Sequence, residues 1–267
     1  MIIFASFLIK KWNKMKNIAF VVLLLCLANT LFSQNADYLN VRNGGFEAWN
    51  NEDNSDIEPD YWHTITSATG KYAGFVTKQV FKSTKTRPGS NGKYSVLLRP
   101  RSIFGVLANG NLTCGRINAG SMKTKNHEDN YNYTQRDNPD FCMPINAVPD
   151  SIVAWVCFRA KDTDSQANFV SVVHGDVDFI YAGPEYSKPQ DQMCAMSGPY
   201  FISRTSVAAS DDYVWRRVSV PFVMKHSDVE PRYILILFST NKIAGEGSSK
   251  DEFYIDDVEL IYNKNTH

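Results

Sequence analysis

Residues 250–262 read KDEFYIDDVELIY. Phe253, Tyr254, Ile255, Val258, Leu260, Ile261 and Tyr262 are good strand formers, so the segment predicts a β-strand close to the end of the chain. Two aspartates, Asp256 and Asp257, interrupt it, and aspartate is depleted in strands. Neighbours on a strand point to opposite faces, so one of the two carboxylates must turn inward. Strict alternation groups Asp256 with Tyr254, Val258 and Leu260, and Asp257 with Glu259. Asp256 is therefore expected inside and Asp257 outside. A buried carboxylate without a partner is costly, so Asp256 needs backbone N–H groups, an arginine or a cation.

The same period-2 pattern recurs upstream. KYSVLLR places Tyr94, Val96 and Leu98 on one face, and RRVSVPFVM places Val218, Val220, Phe222 and Met224 in register. SIVAWVCF and NFVSVV are nearly continuous apolar runs, and RYILILFST is apolar on both faces, as a covered central strand should be. Helical periodicity is nearly absent beyond the first 34 residues. Many short strands separated by Gly, Pro, Asn and Asp predict an antiparallel sandwich or barrel. Pro221 inside its strand predicts a sheet edge or a bulge. Two stretches break the pattern, 118–148 and 181–206, both rich in Gly, Pro, Asn and Tyr. They are expected to be long, ordered loops of functional character.

The first 34 residues have the layout of a signal peptide: Lys10, Lys11, Lys14 and Lys16, then IAFVVLLLCLA, then NTLFSQN. The apolar run is shorter than the roughly 20 residues of a spanning helix. Export is expected, to the periplasm, the cell surface or the medium, with residues 35–263 forming one domain and no membrane span in the mature chain. The 267-residue chain carries 28 basic and 28 acidic residues, and losing the leader leaves 24 against 28. No basic patch points to nucleic acid. Four cysteines remain, Cys114, Cys142, Cys157 and Cys194; in an exported chain they allow two, one or no disulfides, and their spacing excludes a CxxC motif.

NGGFEAW near the mature start, then PDYWHT, PDSIVAWVCF, YVWRRVSVPF and finally YILILFSTN…EFYIDDVELIY follow one another in the order of a known pattern. It resembles the carbohydrate metabolism domain family of secreted Bacteroidetes proteins. More distantly, NGGFE paired with YIDDVEL looks like the galactose-binding-like jelly-roll carbohydrate-binding modules. The resemblance implies a jelly-roll β-sandwich of antiparallel strands and a role in glycan handling outside the cytoplasm. It also implies that first and last strands lie side by side and share a structural calcium ion, with Glu47 and Asp256 in the matching positions. Calcium takes six to eight oxygen ligands, which would resolve the burial of Asp256.

Sugars are bound by stacking on aromatic rings combined with hydrogen bonds from polar side chains. Tyr131 and Tyr133 in NHEDNYNYTQRD, and Tyr186 in the second long stretch, are the first candidates for a glycan site. Trp62, Trp155 and Trp215 read as packing residues. HGDVD, from His174, reads as a Gly-Asp turn between strands. No GxSxG, HExxH, P-loop or dinucleotide fingerprint occurs. The expectation is a non-catalytic protein that binds a glycan or polysaccharide. Two other classes stay open: a structural or adhesive surface protein with protein partners, and a glycoside hydrolase or lyase, which needs only two suitably spaced carboxylates.

Overall fold

Alternating apolar segments cannot bury their faces alone, and here they do so in two facing antiparallel sheets. The computed structural model describes residues 40–50, 58–75, 77–208 and 210–262. The expected signal peptide and cleavage site fall outside the described residues. The strands among the described residues are numbered β1 to β16 in chain order. The first sheet runs β1 (Val80–Ser83), β2 (Ser95–Leu98), β16 (Glu252–Ile261), β8 (Ser151–Ala160), with β12 (Ser206–Val207) and β13 (Arg216–Pro221) sharing the far side of β8. The second runs β14 (Val223–Met224), β11 (Met193–Ser203), β9 (Gln166–His174), β15 (Tyr233–Ser239), β5 (Asn111–Thr113). Successive long strands switch sheets: β8 to β9, β11 to β13, β15 to β16. The result is a jelly-roll β-sandwich, and residues from Val41 onward belong to one compact unit. No helix among the described residues is long and apolar enough to cross a membrane.

The core lies between the sheets. Ile234, Ile236 and Phe238 from β15 pack with Phe253 and Ile255 from β16. Phe169 and Phe238 stack with ring centres 4.5 Å apart. Trp62 and Phe46, from two of the sequence landmarks, meet at 5.2 Å in the same core. Strand β15 is apolar on its other face too. Leu235 and Leu237 join Val170, Val172 and Tyr181 in a second cluster on the outer side of the second sheet. A small third sheet supplies part of that cover: β6 (Arg116–Ala119), β7 (Asn130–Tyr133) and β10 (Ile180–Tyr181). Beside it stands a hairpin of β3 (Arg101–Ile103) and β4 (Val106–Ala108). Its two-residue turn, Phe104 and Gly105, has φ of 49° and 79°, the left-handed pair that matches hairpin twist.

The two ends of the sandwich are joined. The Val258 amide donates to the Gly44 carbonyl at 2.8 Å. Gly44 must be glycine at this seam, because a Cβ there would overlap the Val258 carbonyl oxygen.

Strict alternation fails inside β16. Asp256 lies opposite Trp155, whereas Glu259 lies opposite Val153, so β16 carries one more residue than its partner over this step. Asp257 takes the extra place, with φ of +45°. This β-bulge reverses the faces beyond it. Val258 and Leu260 return to the main core with Phe253 and Ile255. Asp256 stays on the outer face with Tyr254, which packs in a separate cluster with Leu97 and Cys157. Asp256 is fully buried, as expected, but under a loop on the outside of the sheet rather than between the sheets.

The stretch 181–206 is not a loop throughout. Its second half is β11, which pairs with β9 over most of that strand's length. Gly198 and Pro199 sit at a register shift between Ser197 and Tyr200, and that interruption hides the strand from a period-2 search. Pro221 ends β13, an edge strand, and after Phe222 the chain crosses to the second sheet as β14. The cysteine question closes on the reduced side: Cys114, Cys142, Cys157 and Cys194 are free and buried. Burial pushes the Cys114 thiol up to about 12 and the Cys194 thiol up to about 11.

Candidate functional site

The outer face of the second sheet is only partly covered, and a cavity of about 490 Å³ opens there. Its floor follows from strand register. Phe201 of β11 pairs with Asn168 of β9, Asn168 with Ser239 of β15, and Ser239 with Asn111 of β5. Directly paired residues share a face, and all four line the cavity. They form a polar rung across four strands, ending on an aromatic ring. Strands lie about 4.8 Å apart, so the rung spans roughly 14 Å. Two residues further along β9, Val170 pairs with Leu237 and makes an apolar rung beside it. The third sheet supplies one wall, where Asn132 stands in register between Tyr181 and Ile117. The β3–β4 hairpin supplies another. Phe104 at its tip is 79% exposed and Phe75 beside the cavity is 58% exposed.

Seven asparagines line this cavity, and they are not equivalent. Asn109, Asn118, Asn130 and Asn241 have both ends of the carboxamide committed to the protein. Asn130, for instance, accepts from Ser121 N at 3.0 Å and donates to the Ser121 and Lys123 carbonyls. The side chains of Asn111, Asn132 and Asn168 make no such bonds. The Oδ1 atoms of Asn132 and Asn168 are buried and have no partner among the described residues. Both residues line the cavity, so their carboxamides are polar groups of the lining not committed to the described protein.

The expected tyrosines fall into three situations. Tyr131 lines the cavity; burial, with Tyr133 and Asp129 nearby, raises its hydroxyl pKa. Tyr133 sits edge-on to Tyr131 at 5.7 Å and reaches Thr69 Oγ1 at 3.4 Å, behind the lining. Tyr186 is half exposed and stacks on His127 at 4.1 Å, and it is His127 that lines the cavity. Of the tryptophans, Trp62 is core and Trp155 lies beneath the Arg87 guanidinium at 5.1 Å. Phe201, Asn168, Ser239 and Asn111 were not among the expected site residues. The available signal was a polar residue on the outer face of strands otherwise apolar on both sides.

His174 is buried behind this region, and its bonds fix its tautomer. Nδ1 lies 2.9 Å from the Gly175 carbonyl, which can only accept, so Nδ1 carries the proton; Nε2 then accepts from the Thr134 hydroxyl at 2.8 Å. Burial lowers its pKa to about 4. Asp176 and Asp178, beyond it, both pair with Arg136, which accounts for HGDVD as a turn.

Asp256, in β16, belongs to the first sheet, and Glu47 to the segment ahead of β1. Asp256 Oδ2 accepts from Arg87 N at 3.1 Å, and Oδ1 from Asp257 N at 2.9 Å. Glu47 Oε1 accepts from Lys93 N and Tyr94 N, both at 2.9 Å. The loop between β1 and β2 therefore donates to both acids. The Arg87 side chain pairs with Asp257. Burial still pushes the Asp256 carboxyl up to about 6, with the Asp257 charge adding to it. Two amides thus compensate the buried charge only in part. Among the described residues no group of three or more His, Cys, Asp or Glu side chains could hold a metal.

No protein-family model and no curated protein sequence matches the chain. Solved structures with a similar course include a candidate glycoside hydrolase from Bacteroides thetaiotaomicron, with 16% identity over 76% of this chain, 63% of that protein's length and a TM-score of 0.49. The module TmCBM61, solved with β-1,4-galactotriose, is similar at 14% identity over 85% of this chain and 99% of its own, with a TM-score of 0.37. A cleaved adhesin domain of Lys-gingipain from Porphyromonas gingivalis is similar at 13% identity over 84% and 98%, with a TM-score of 0.35. The chain is thus similar in course to a candidate hydrolase, a module solved with a galactotriose and an adhesin domain.

Proposed function

We propose that this protein is an exported, non-catalytic glycan-binding jelly roll of the carbohydrate metabolism domain type, and that it binds sugar in the cavity on the outer face of its second sheet. The observation that carries the reading is the floor. An apolar rung, Val170 and Leu237, lies beside a polar rung, Asn168, Ser239 and Asn111, and a sugar ring has the same division between its C–H face and its hydroxyl edge. The Asn132 and Asn168 carboxamides, uncommitted among the described residues, offer hydrogen-bonding groups to sugar hydroxyls, and Tyr131 and Phe201 offer rings for stacking. Such pockets, mostly apolar with a few convergent polar groups, are typical of small-molecule sites. The described lining contains neither Asp nor Glu, which favours binding over two-carboxylate hydrolysis at this site. The test is retardation in affinity gels and titration calorimetry with soluble polysaccharides and their oligomers. Retardation that Asn168→Ala weakens supports the reading; retardation untouched by Asn168→Ala and Tyr131→Ala places the sugar elsewhere.

For the seam between the chain ends we propose a structural calcium ion held by Glu47 and Asp256. The incompletely compensated Asp256 carboxylate supports this. Metal analysis and melting with and without a chelator test it, and the idea is lost if no calcium is bound and the melting temperature does not move.

A further inference from the structure

Within the cavity the chemistry of the floor changes in one direction along β9. Gln166, Asn168 and Val170 share its outer face at two-residue steps, each about 6.7 Å. The apolar and polar rungs account for Val170 and Asn168. Gln166 does something else: it holds Lys242. The Lys242 amide donates to the Gln166 carbonyl at 2.7 Å, and its ammonium donates to Gln166 Oε1 at 3.2 Å. The same ammonium lies 4.4 Å from the centre of the Phe201 ring. Gln166 in turn is tied to Ser203 on β11 at 3.3 Å. Among the described residues, neutral groups thus hold this exposed cation at the aromatic end of the polar rung. Among the described residues lining the cavity, it is the sole Lys, Arg, Asp or Glu.

Lys242 is exposed at the edge of the cavity, so its charge acts on a ligand group placed beside it and is screened by salt. We infer that the site takes acidic glycans, with a carboxylate or sulfate of the sugar received by Lys242 while its hydroxyls meet Asn168 and its neighbours. The inference rests on reading the cavity as a glycan site and adds the class of glycan. Lys242 acts here as a specificity determinant. Its ammonium is a compact point charge with three donors, which can meet either anion.

Matched probes separate the outcomes. Oligogalacturonate is compared with its methyl ester, and carrageenan oligosaccharides with the same oligosaccharides desulfated, by calorimetry on the full mature chain. The acidic member of at least one pair is expected to bind about tenfold more tightly than its neutral match, with the advantage fading as salt rises. The pair that shows it tells carboxylate from sulfate. Lys242→Gln should bring the acidic member to the affinity of its neutral match, Lys242→Arg should retain the advantage within a few fold, and Asn168→Ala should weaken both members alike. Equal binding of acidic and neutral probes, or an acidic preference that survives Lys242→Gln, overturns the inference while leaving the glycan site in place. If no probe of either kind binds, the glycan reading itself falls and the inference falls with it.

Discussion

At the scale of single residues, the cavity separates asparagines that build the site from those that are free to use it. Asn130 knits the loop ahead of β7 through three hydrogen bonds. Asn130→Ala should lower stability by about 1–3 kcal/mol, because the Ser121 amide and two carbonyls lose their partner, and any loss of ligand affinity should follow from that unfolding. Asn168→Ala should do the opposite. It removes an acceptor that has no partner among the described residues, so the melting temperature should hold or rise slightly, while affinity for a bound sugar falls about fivefold, near 1 kcal/mol. Calorimetry and thermal melting on the same two variants give both readouts, and equal behaviour of the two would deny the distinction. Residue chemistry was partly visible beforehand. Tyr131 could be singled out because aromatic residues in polar loops are natural sugar platforms. Asn168 could not, because NFVSVV reads as a buried strand and only pairing with β11 and β15 reveals which of its faces is open.

At the scale of elements, the bulge in β16 decides what Asp256 can be. The alternation rule correctly predicted one buried and one less buried aspartate, yet it assigned the wrong companions, since a period of two has no place for an inserted residue. Nothing in the string IDDVE marks the insertion except the second aspartate itself, a residue that tolerates positive φ better than most. The same blindness hid β11, where Gly198 and Pro199 interrupt the ladder. The long elements β8, β15 and β16 were legible because length and apolar content alone identify them. The bulge makes a testable demand. Asp257→Asn should preserve the fold at nearly full stability, since asparagine also accepts φ near +45°. Asp257→Val should cost about 1–3 kcal/mol through backbone strain at that position. Denaturant midpoints of the two variants check this, and a valine variant as stable as the asparagine one would mean that β16 can pair without the bulge.

At the scale of the whole molecule, two buried groups on different sheets pull stability in opposite directions over one pH window. His174 is neutral in the fold, with a pKa near 4, because burial outweighs its bond to Gly175 and the field of Asp178. In the unfolded chain it titrates near its model value of 6.5. Between those values the unfolded state binds more protons, so this group makes stability rise with pH and fall as the solution is acidified. Asp256 is the reverse case. Its folded pKa is near 6 against a model value of 3.8. Here the folded state binds more protons, so its contribution is fully present below about 4 and is lost as pH rises through 6. In chelator the two slopes oppose each other, and the wild-type protein should show a shallow profile between pH 4 and 6. Asp256→Asn cancels one slope and should leave stability climbing with pH across that window. Added calcium should have a similar effect on the wild type, since the ion needs the ionised carboxylate, and none on Asp256→Asn. Urea midpoints at pH 4.5 and 6.5, with chelator and with calcium, give the four values required for each protein. Parallel profiles for wild type and variant in chelator would mean that Asp256 titrates normally, and an equal calcium response in both would place the ion away from this carboxylate.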